Sequence, residues 1–145
     1  MTSRAPAELS LAPERANADN QAAYVGHWIF AEVSVEIGER RDGDILILLP
    51  TGRIDNDTSP AFQARLLASL TSRGAAVLVD FRGIEYISSA GLRALMMGSR
   101  QAKAVKGRLA VADLGPVVKE IFEISRFSLV VEVFDTPADA LAVLR

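Results

Sequence analysis

Two adjacent hydroxyl side chains, Ser88 and Ser89, lie within the stretch IEYISSAGLR, between an apolar run and a pattern typical of a helix. A serine at a helix start accepts a hydrogen bond from a free backbone N–H, which stabilises the helix by about 1 kcal/mol. A phosphate there would be favoured by the free N–H groups and the helix dipole, and would add about 1.5 to 2 negative charges at pH 7. The pair therefore indicates a helix cap or a modification site that changes partner binding and leaves the fold intact.

Carboxylates form the second candidate cluster, at Asp55, Asp57 and Asp80. Aspartates at strand ends and helix starts usually serve as caps or turn residues. A small hydrolase using Asp80 and Ser89 would lack a general base within reach in the sequence, because the single histidine, His27, lies in the N-terminal segment. The sequence also contains no glycine-rich phosphate loop and no nucleophile elbow. We therefore predict a protein that is not an enzyme and that has no metal and no cofactor.

The composition of the chain limits its class further. Half of its 145 residues are apolar, which is enough for the core of one compact domain. The net charge is −2 and the 16 basic residues are scattered, so no nucleic-acid surface is predicted. The apolar segment Ala22–Ala31 is too short to cross a membrane, and no signal-peptide pattern precedes it. We expect a cytoplasmic protein without a membrane anchor.

The pattern from Glu32 onward predicts strands that alternate with helices. An alternating strand at Glu32–Ile37 is followed by an Asp-Gly turn within Arg40–Asp44. Buried strands are predicted at Ile45–Pro50, Ala75–Phe81, Arg108–Leu114 and Leu129–Phe134. Helices are predicted from Ser59 to Gly74, from the two serines to about Lys106, from Pro116 and from Thr136. This order indicates an α/β fold with a mainly parallel sheet, an antiparallel edge strand and about four helices.

The helix after the serines has two distinct faces. Its predicted buried stripe consists of Leu92, Leu95, Met96 and Ala102. A separate face, which includes a methionine predicted to be exposed between two arginines, carries Ser89, Arg93, Met97 and Arg100. Their spacings of four, four and three place them on one side of the helix. This face is a candidate surface for a partner.

Residues 1–31 are predicted to form an N-terminal extension to the domain at 32–145. The first 20 or so residues are rich in Ala, Pro, Glu and Asn and indicate a flexible tail. The segment Tyr24–Ala31 contains Tyr, Trp and Phe, which a tail would not be expected to carry. Two interpretations stay open for it: a short extension that docks on the domain, or a patch that binds a partner or forms a homodimer.

Residues 32–145 resemble the STAS domain family, and within it the small anti-sigma factor antagonists of bacteria. The stretch YISSAGLR is similar to the family pattern of an aromatic or apolar pair followed by Asp-Ser-Ser/Thr-Gly-Leu. GRID, at Gly52–Asp55, is similar to the family's Gly-x-Leu/Ile-Asp, and Leu114–Leu141 resembles its C-terminal pattern. The resemblance places Asp55 near the serine loop. The first 30 residues have no counterpart in the minimal family pattern.

The resemblance implies that Ser89 is the phosphorylated serine, with Ser88 as the second choice. Ser88 stands where the family commonly has Asp, which implies altered recognition by the kinase, and Ala90 replaces the second hydroxyl of the usual pair. The resemblance and the helix face together predict a partner-binding surface. This surface consists of Asp55, Ser88, Ser89, Gly91, Leu92, Arg93, Met97 and Arg100.

The function implied by the resemblance is a partner switch. The unphosphorylated antagonist would bind an anti-sigma factor that is also a serine kinase with a histidine-kinase-like ATPase fold, which frees the sigma factor. Phosphorylation would release the antagonist, and a PP2C-type phosphatase would reset it. The alternative is a STAS scaffold subunit of a larger signalling or transport-ATPase assembly, an interpretation that the aromatic N-terminal segment favours.

Overall fold

Strands and helices alternate along residues Val35–Arg145, which are the part of the chain that this computed structural model describes. The strands are β1 (Glu36–Asp42), β2 (Ile45–Ile54), β3 (Ala76–Asp80), β4 (Ile84–Ile87), β5 (Arg108–Ala112) and β6 (Glu132–Phe134). The helices are α1 (Ser59–Ala68), α2 (Ser89–Ala104), α3 (Pro116–Ser125) and α4 (Pro137–Leu144). The predicted extension at 1–31 and the first residues of the strand predicted at 32–37 lie outside the described residues.

The six strands form one mixed sheet in the order β1-β2-β3-β5-β6, with β4 paired to the end of β2. Only β1 is antiparallel to its neighbour, and all the other pairs are parallel. The turn between β1 and β2 uses Gly43 at φ +60, a conformation that suits a two-residue hairpin loop. The prediction of an α/β fold with a mainly parallel sheet and an antiparallel edge strand is confirmed.

Apolar side chains on both faces of the sheet make the core. One cluster joins Leu46, Leu48 and Val79 to residues of α1, α2 and α3, among them Phe62, Leu95 and Phe122. Alternate residues of the same strands, including Ile47 and Leu78, point to the other face and pack with Ala140 of α4. Because the central strands are covered on both faces, their sequences are continuously apolar rather than alternating.

The strand β2 changes partner along its length. It pairs with β3 over Ile45–Leu48 and with β4 over Gly52–Ile54, and the pairing with β4 contains a register shift between Gly52 and Arg53. The sequence pattern predicts no strand at Ile84–Ile87 and predicts that the strand beginning at Ile45 ends at Pro50, and both predictions are wrong. β4 is only four residues long, and its two buried residues are three positions apart, so the period of a strand is absent.

Three other boundaries differ from the predicted ones by three residues or more. The first strand continues to Asp42, and α1 ends at Ala68 rather than near Gly74. The last strand contains only Glu132–Phe134, because the preceding residues Phe127–Leu129 form a 3-10 turn. This turn follows Arg126, which has φ 56 and so ends α3 in a left-handed conformation.

Candidate functional site

The strands β2 and β4 end side by side and bring two loops together. Ile54 pairs with Ile87, and the amide of Ser88 donates a hydrogen bond of 2.8 Å to the carbonyl oxygen of Ile54. Asp55 and Ser88 are the next residues of the two strands. The parallel pairing therefore places the predicted Asp55 next to the predicted serine loop, at the carboxyl edge of the sheet where α/β folds usually bind ligands.

Ser88 is the N-cap of α2. Its backbone is extended, at φ −90 and ψ 176, and its side-chain hydroxyl oxygen accepts a hydrogen bond of 3.3 Å from the amide of Gly91. The side chain is half-buried. The hydroxyl of Ser88 is thus engaged in starting the helix, which is the structural role that either serine could have had.

Ser89 is the first residue of α2, and it is exposed. Its hydroxyl makes no hydrogen bond to any residue of 35–145, and the amides of Ser89 and Ala90 also lack a partner there. Free amides at a helix start carry partial positive charge and favour an anionic group. The two serines therefore differ in role: one holds the helix, and the other presents a free hydroxyl beside unpaired N–H groups.

Asp55 organises the loop before α1. Its Oδ1 accepts hydrogen bonds from the amides of Asp57, at 3.0 Å, and Thr58, at 3.2 Å. The Thr58 hydroxyl donates to the carbonyl oxygen of Arg53 at 2.7 Å and accepts from the amide of Asp55 at 2.9 Å. Thr58, rather than the predicted Ser59, occupies the N-cap position of α1, and its hydroxyl is directed to the strand instead of the helix.

The electrostatics of this loop keep Asp55 ionised. Burial raises the pKa of Asp55, but hydrogen bonds from Thr58 and Asp57 and the positive charge of Arg53 outweigh burial and hold the pKa below its ordinary value. The ionised carboxylate is the stronger hydrogen-bond acceptor and is the form that Arg53 attracts. Asp55 therefore acts as a fixed negative charge beside the serine loop.

Arg53 and Tyr86 form a contact that the sequence analysis missed. The two residues are paired across β2 and β4, and the Arg53 guanidinium lies 4.6 Å from the centre of the Tyr86 ring. The Arg53 Nε is also 4.0 Å from Asp55 Oδ2. The sequence contains one signal for this contact: Arg53 precedes Asp55 by two residues, and Tyr86 precedes Ser88 by two residues. The contact depends on the register shift after Gly52.

The predicted partner-binding residues of α2 divide by exposure. Arg93 and Arg100 are exposed, whereas Leu92 and Met97 are half-buried, which corrects the expectation of an exposed Met97. Gly91 is buried. A Cβ atom at Gly91 would come 2.5 Å from Ile87 Cγ1 and 2.8 Å from Ile54 Cγ2. Gly91 therefore sets how closely α2 approaches the strands, and the arginines form the accessible part of this face.

Asp80 is not available to activate Ser89. It is buried at the end of β3, and its Oδ2 accepts hydrogen bonds from Arg82 Nη2 at 2.8 Å and Nε at 3.1 Å. Its Oδ1 accepts from the backbone amide of Arg82 at 3.0 Å. The aspartate thus belongs to a local ion pair, which gives the hydrolase alternative no base.

Known proteins share sequence similarity with this domain. Residues 37–132 match a family model described as "Mlab, STAS domain". The chain belongs to the STAS domain family. The STAS domain is 32% identical over 107 residues to BtrV of Bordetella bronchiseptica, which is named as an anti-sigma factor antagonist. That match covers 74% of this chain and 91% of BtrV.

Solved structures share the fold of this STAS domain. A Thermotoga maritima protein named as an anti-sigma factor antagonist superposes with a TM-score of 0.70 at 17% identity, covering 75% of this chain and 94% of that one. The phosphorylated form of the Bacillus cell fate determinant SpoIIAA superposes with a TM-score of 0.57 at 17% identity, covering 76% and 100% of the two chains. At these identities the likeness establishes the fold.

Two further features of the STAS domain concern metals and membranes. Within residues 35–145, no cluster of three or more His, Cys, Asp or Glu side chains is arranged to hold a metal ion. The same residues contain no helix that is both long and apolar enough to span a bilayer.

Proposed function

We propose that this STAS domain protein is an anti-sigma factor antagonist regulated by phosphorylation of Ser89. In the unphosphorylated state it binds an anti-sigma factor that is a serine kinase of the histidine-kinase-like ATPase fold. The kinase transfers the γ-phosphoryl group of ATP to Ser89 Oγ, the hydroxyl proton is lost, and ADP leaves. The phosphorylated protein dissociates, and a PP2C-type phosphatase hydrolyses the phosphoserine. The chain acts as a cytoplasmic binding module and not as an enzyme.

The observation that carries this proposal is the division of roles between Ser88 and Ser89. Ser88 Oγ caps α2, while the Ser89 hydroxyl is exposed and makes no hydrogen bond within residues 35–145. A phosphate on Ser89 would lie beside the free amides of the helix start, which favour negative charge. The fold would tolerate the modification, and a partner covering this helix end would meet about 1.5 to 2 new negative charges.

The comparisons support the same function. The relatives from Bordetella bronchiseptica and Thermotoga maritima are both named as anti-sigma factor antagonists. The Bacillus relative SpoIIAA exists in a phosphorylated form. A phosphorylation-dependent antagonist is therefore the function that the site and the relatives favour together.

The test is phosphate mapping on the full chain. Purified serine kinases of the histidine-kinase-like ATPase fold from the same genome are incubated with the protein and ATP, and phosphopeptides are located by mass spectrometry. We expect one phosphate, on Ser89, which Ser89→Ala abolishes. Ser88→Asn, which keeps a capping oxygen, should still carry its phosphate on Ser89, and Ser128→Ala, at an exposed serine elsewhere, should leave phosphorylation intact. Phosphorylation of Ser89→Ala to the parent's level would refute the site assignment.

Binding measurements test the switch itself. Isothermal titration with the kinase that modifies the protein should give similar affinities for the parent and for Ser89→Ala. Ser89→Asp should bind at least about tenfold more weakly, a difference of about 1.4 kcal/mol. Equal binding of all three proteins would show that phosphorylation is incidental. Light scattering of the full chain then tests the scaffold alternative, because a large homo-assembly supports a scaffold and a monomer or dimer supports the switch.

A further inference from the structure

The helix α2 carries only positive charge. Its 16 residues include Arg93, Arg100 and Lys103 and contain no Asp or Glu, although the chain as a whole has a net charge of −2. All three cations are exposed, and none forms an ion pair within residues 35–145. By contrast, Arg65, Arg82, Arg108 and Arg145 each pair with a carboxylate. Arg93, Arg100 and Lys103 thus form a basic surface on α2, the helix whose first residue is Ser89.

Arg93 has a special place on this basic surface, because it lies four residues after Ser89. Residues at this spacing are neighbours on a helix, and a negative group placed before a positive one is the favoured order. Helical side chains also lean toward the N-terminus, so an arginine at position 93 can reach the turn that contains Ser89. Arg100 is three turns away, about 16 Å along the axis, and is out of reach of a phosphate at position 89.

We infer that Arg93 is the residue through which a phosphate on Ser89 weakens partner binding. In the unmodified protein its guanidinium meets a carboxylate on an acidic surface of the partner. After modification the Arg93 guanidinium pairs with the phosphate. The partner's carboxylate then loses its contact with this cation and faces the negative charge of the phosphate. This inference rests on the proposed function, and it identifies the partner's contact surface as acidic.

Other charged groups near Ser89 are already engaged. Arg53 lies over the ring of Tyr86 and faces Asp55 at 4.0 Å, so its charge is partly compensated. Glu85 is exposed on β4 and, like Asp55, would repel a phosphate rather than hold it. Arg93 is the neighbouring cation on the helix that has no carboxylate partner within residues 35–145. A guanidinium also binds phosphate with two parallel hydrogen bonds, which favours capture.

The first arm of the test needs no kinase. Phosphoserine is installed at position 89 of the full chain by genetic code expansion, and its second ionisation is followed by ³¹P NMR at low salt. Pairing with Arg93 should hold the phosphate pKa, ordinarily near 6, lower than in the Arg93→Gln variant by about 0.3 pH unit or more. Arg100→Gln should behave as the parent. Equal phosphate pKa values in the parent and in Arg93→Gln would show that Arg93 does not pair with the phosphate.

The second arm measures binding to the kinase identified above. Arg93→Gln should weaken binding of the unmodified protein several-fold, and phosphorylation should then weaken it by a smaller factor than in the parent. In Arg100→Gln the factor caused by phosphorylation should equal that of the parent. Additive effects of Arg93→Gln and the phosphate would overturn the inference. If no kinase binds the parent, the proposed function fails, while the NMR arm still decides whether Arg93 captures the phosphate.

Discussion

The hydroxyl oxygen of Ser88 accepts a hydrogen bond from the amide of Gly91 at 3.3 Å, and this bond separates the structural serine from its exposed neighbour. The cap fixes the first turn of α2 against the ends of β2 and β4. Ser89 then occupies the first helical position without contributing to the cap. Four predictions about stability test whether the parts of this site have the roles assigned to them.

Removal of the cap should destabilise the domain without removing the modification site. Ser88→Ala leaves the Gly91 amide without its acceptor, so the free energy of unfolding should fall by about 1 kcal/mol, and Tm by roughly 4 °C. Ser88→Asp should keep the stability of the parent, because its carboxylate also caps a helix start. Calorimetry measures both variants, with Ser128→Ala as an exposed control. A Ser88→Ala protein as stable as the parent would contradict the role of Ser88.

A side chain at Gly91 should push α2 away from the strands. The added Cβ would lie 2.5 Å from Ile87 Cγ1 and 2.8 Å from Ile54 Cγ2, and both β-branched side chains are stiff. Gly91→Ala should therefore lower the free energy of unfolding by about 1 to 3 kcal/mol, although alanine favours helices. Gly38→Ala is the control, since a Cβ atom at this exposed glycine of β1 would meet nothing closer than 3.6 Å. Urea titration should show the larger loss for Gly91→Ala, and the reverse order would count against the prediction.

The charge of Asp55 should make stability depend on pH in the acidic range. The pKa of Asp55 is lower in the folded protein than its ordinary value of 3.8, so the ionised form stabilises the fold. This stabilisation is complete above the ordinary pKa and is lost as the pH falls through the folded value. Asp55→Asn should thus be less stable than the parent at pH 7, and the difference should shrink below pH 3.8.

Denaturant titrations across that pH range provide the measurement for Asp55. Asp57→Asn is the control, because among the described residues its side chain accepts none of the hydrogen bonds that hold the loop. A difference between the parent and Asp55→Asn that stays constant down to pH 2 would rule out the charge as its source.

The ion pair between the buried Asp80 and the exposed Arg82, at the end of β3, should be sensitive to a neutral replacement of the aspartate. In Asp80→Asn an amide nitrogen or a weaker acceptor would face Arg82, whose pKa is raised by its hydrogen bond to Asp80. We expect a loss of about 1 to 3 kcal/mol in the free energy of unfolding. Asp113→Asn should change it by less than about 1 kcal/mol, because Asp113 is exposed and 3.8 Å from Arg82. Similar losses in both variants would show that burial of Asp80 is unimportant.

The sequence predicted most of the fold because its central strands and caps leave strong local signals. Continuous apolar runs such as Ile45–Leu48 identified strands covered on both faces. Thr136 and Pro137 identified the start of α4, where the Thr136 hydroxyl oxygen accepts from the Asp139 amide at 3.1 Å. The serine pair also indicated the start of α2. These features depend on neighbours within a few positions along the chain.

Features that depend on distant parts of the chain escaped prediction. β4 exists because β2 continues past its pairing with β3 and offers Gly52–Ile54 for pairing, with a register shift after Gly52. The same shift sets Arg53 against Tyr86. The assignment of the cap to Ser88 rather than Ser89 depends on the hydrogen bond between the Ser88 amide and Ile54, a residue of another strand. Leu129–Val131 has the composition of a strand, but Arg126 turns the chain before β6 begins.

The hydrogen bond from the Ser88 amide to Ile54 also makes hydrogen exchange differ between neighbouring amides of the site. The Ser88 amide nitrogen lies 2.8 Å from the carbonyl oxygen of Ile54, so its hydrogen should exchange with solvent deuterium only when that strand pair opens, whereas the amides of Ser89 and Ala90 have no acceptor within residues 35–145 and should exchange faster. The border between slow and fast exchange should thus fall between two consecutive serines. A partner or a phosphate that occupies the helix start would slow the exchange of the Ser89 and Ala90 amides alone, so the exchange rates of these two amides would report occupancy of the site.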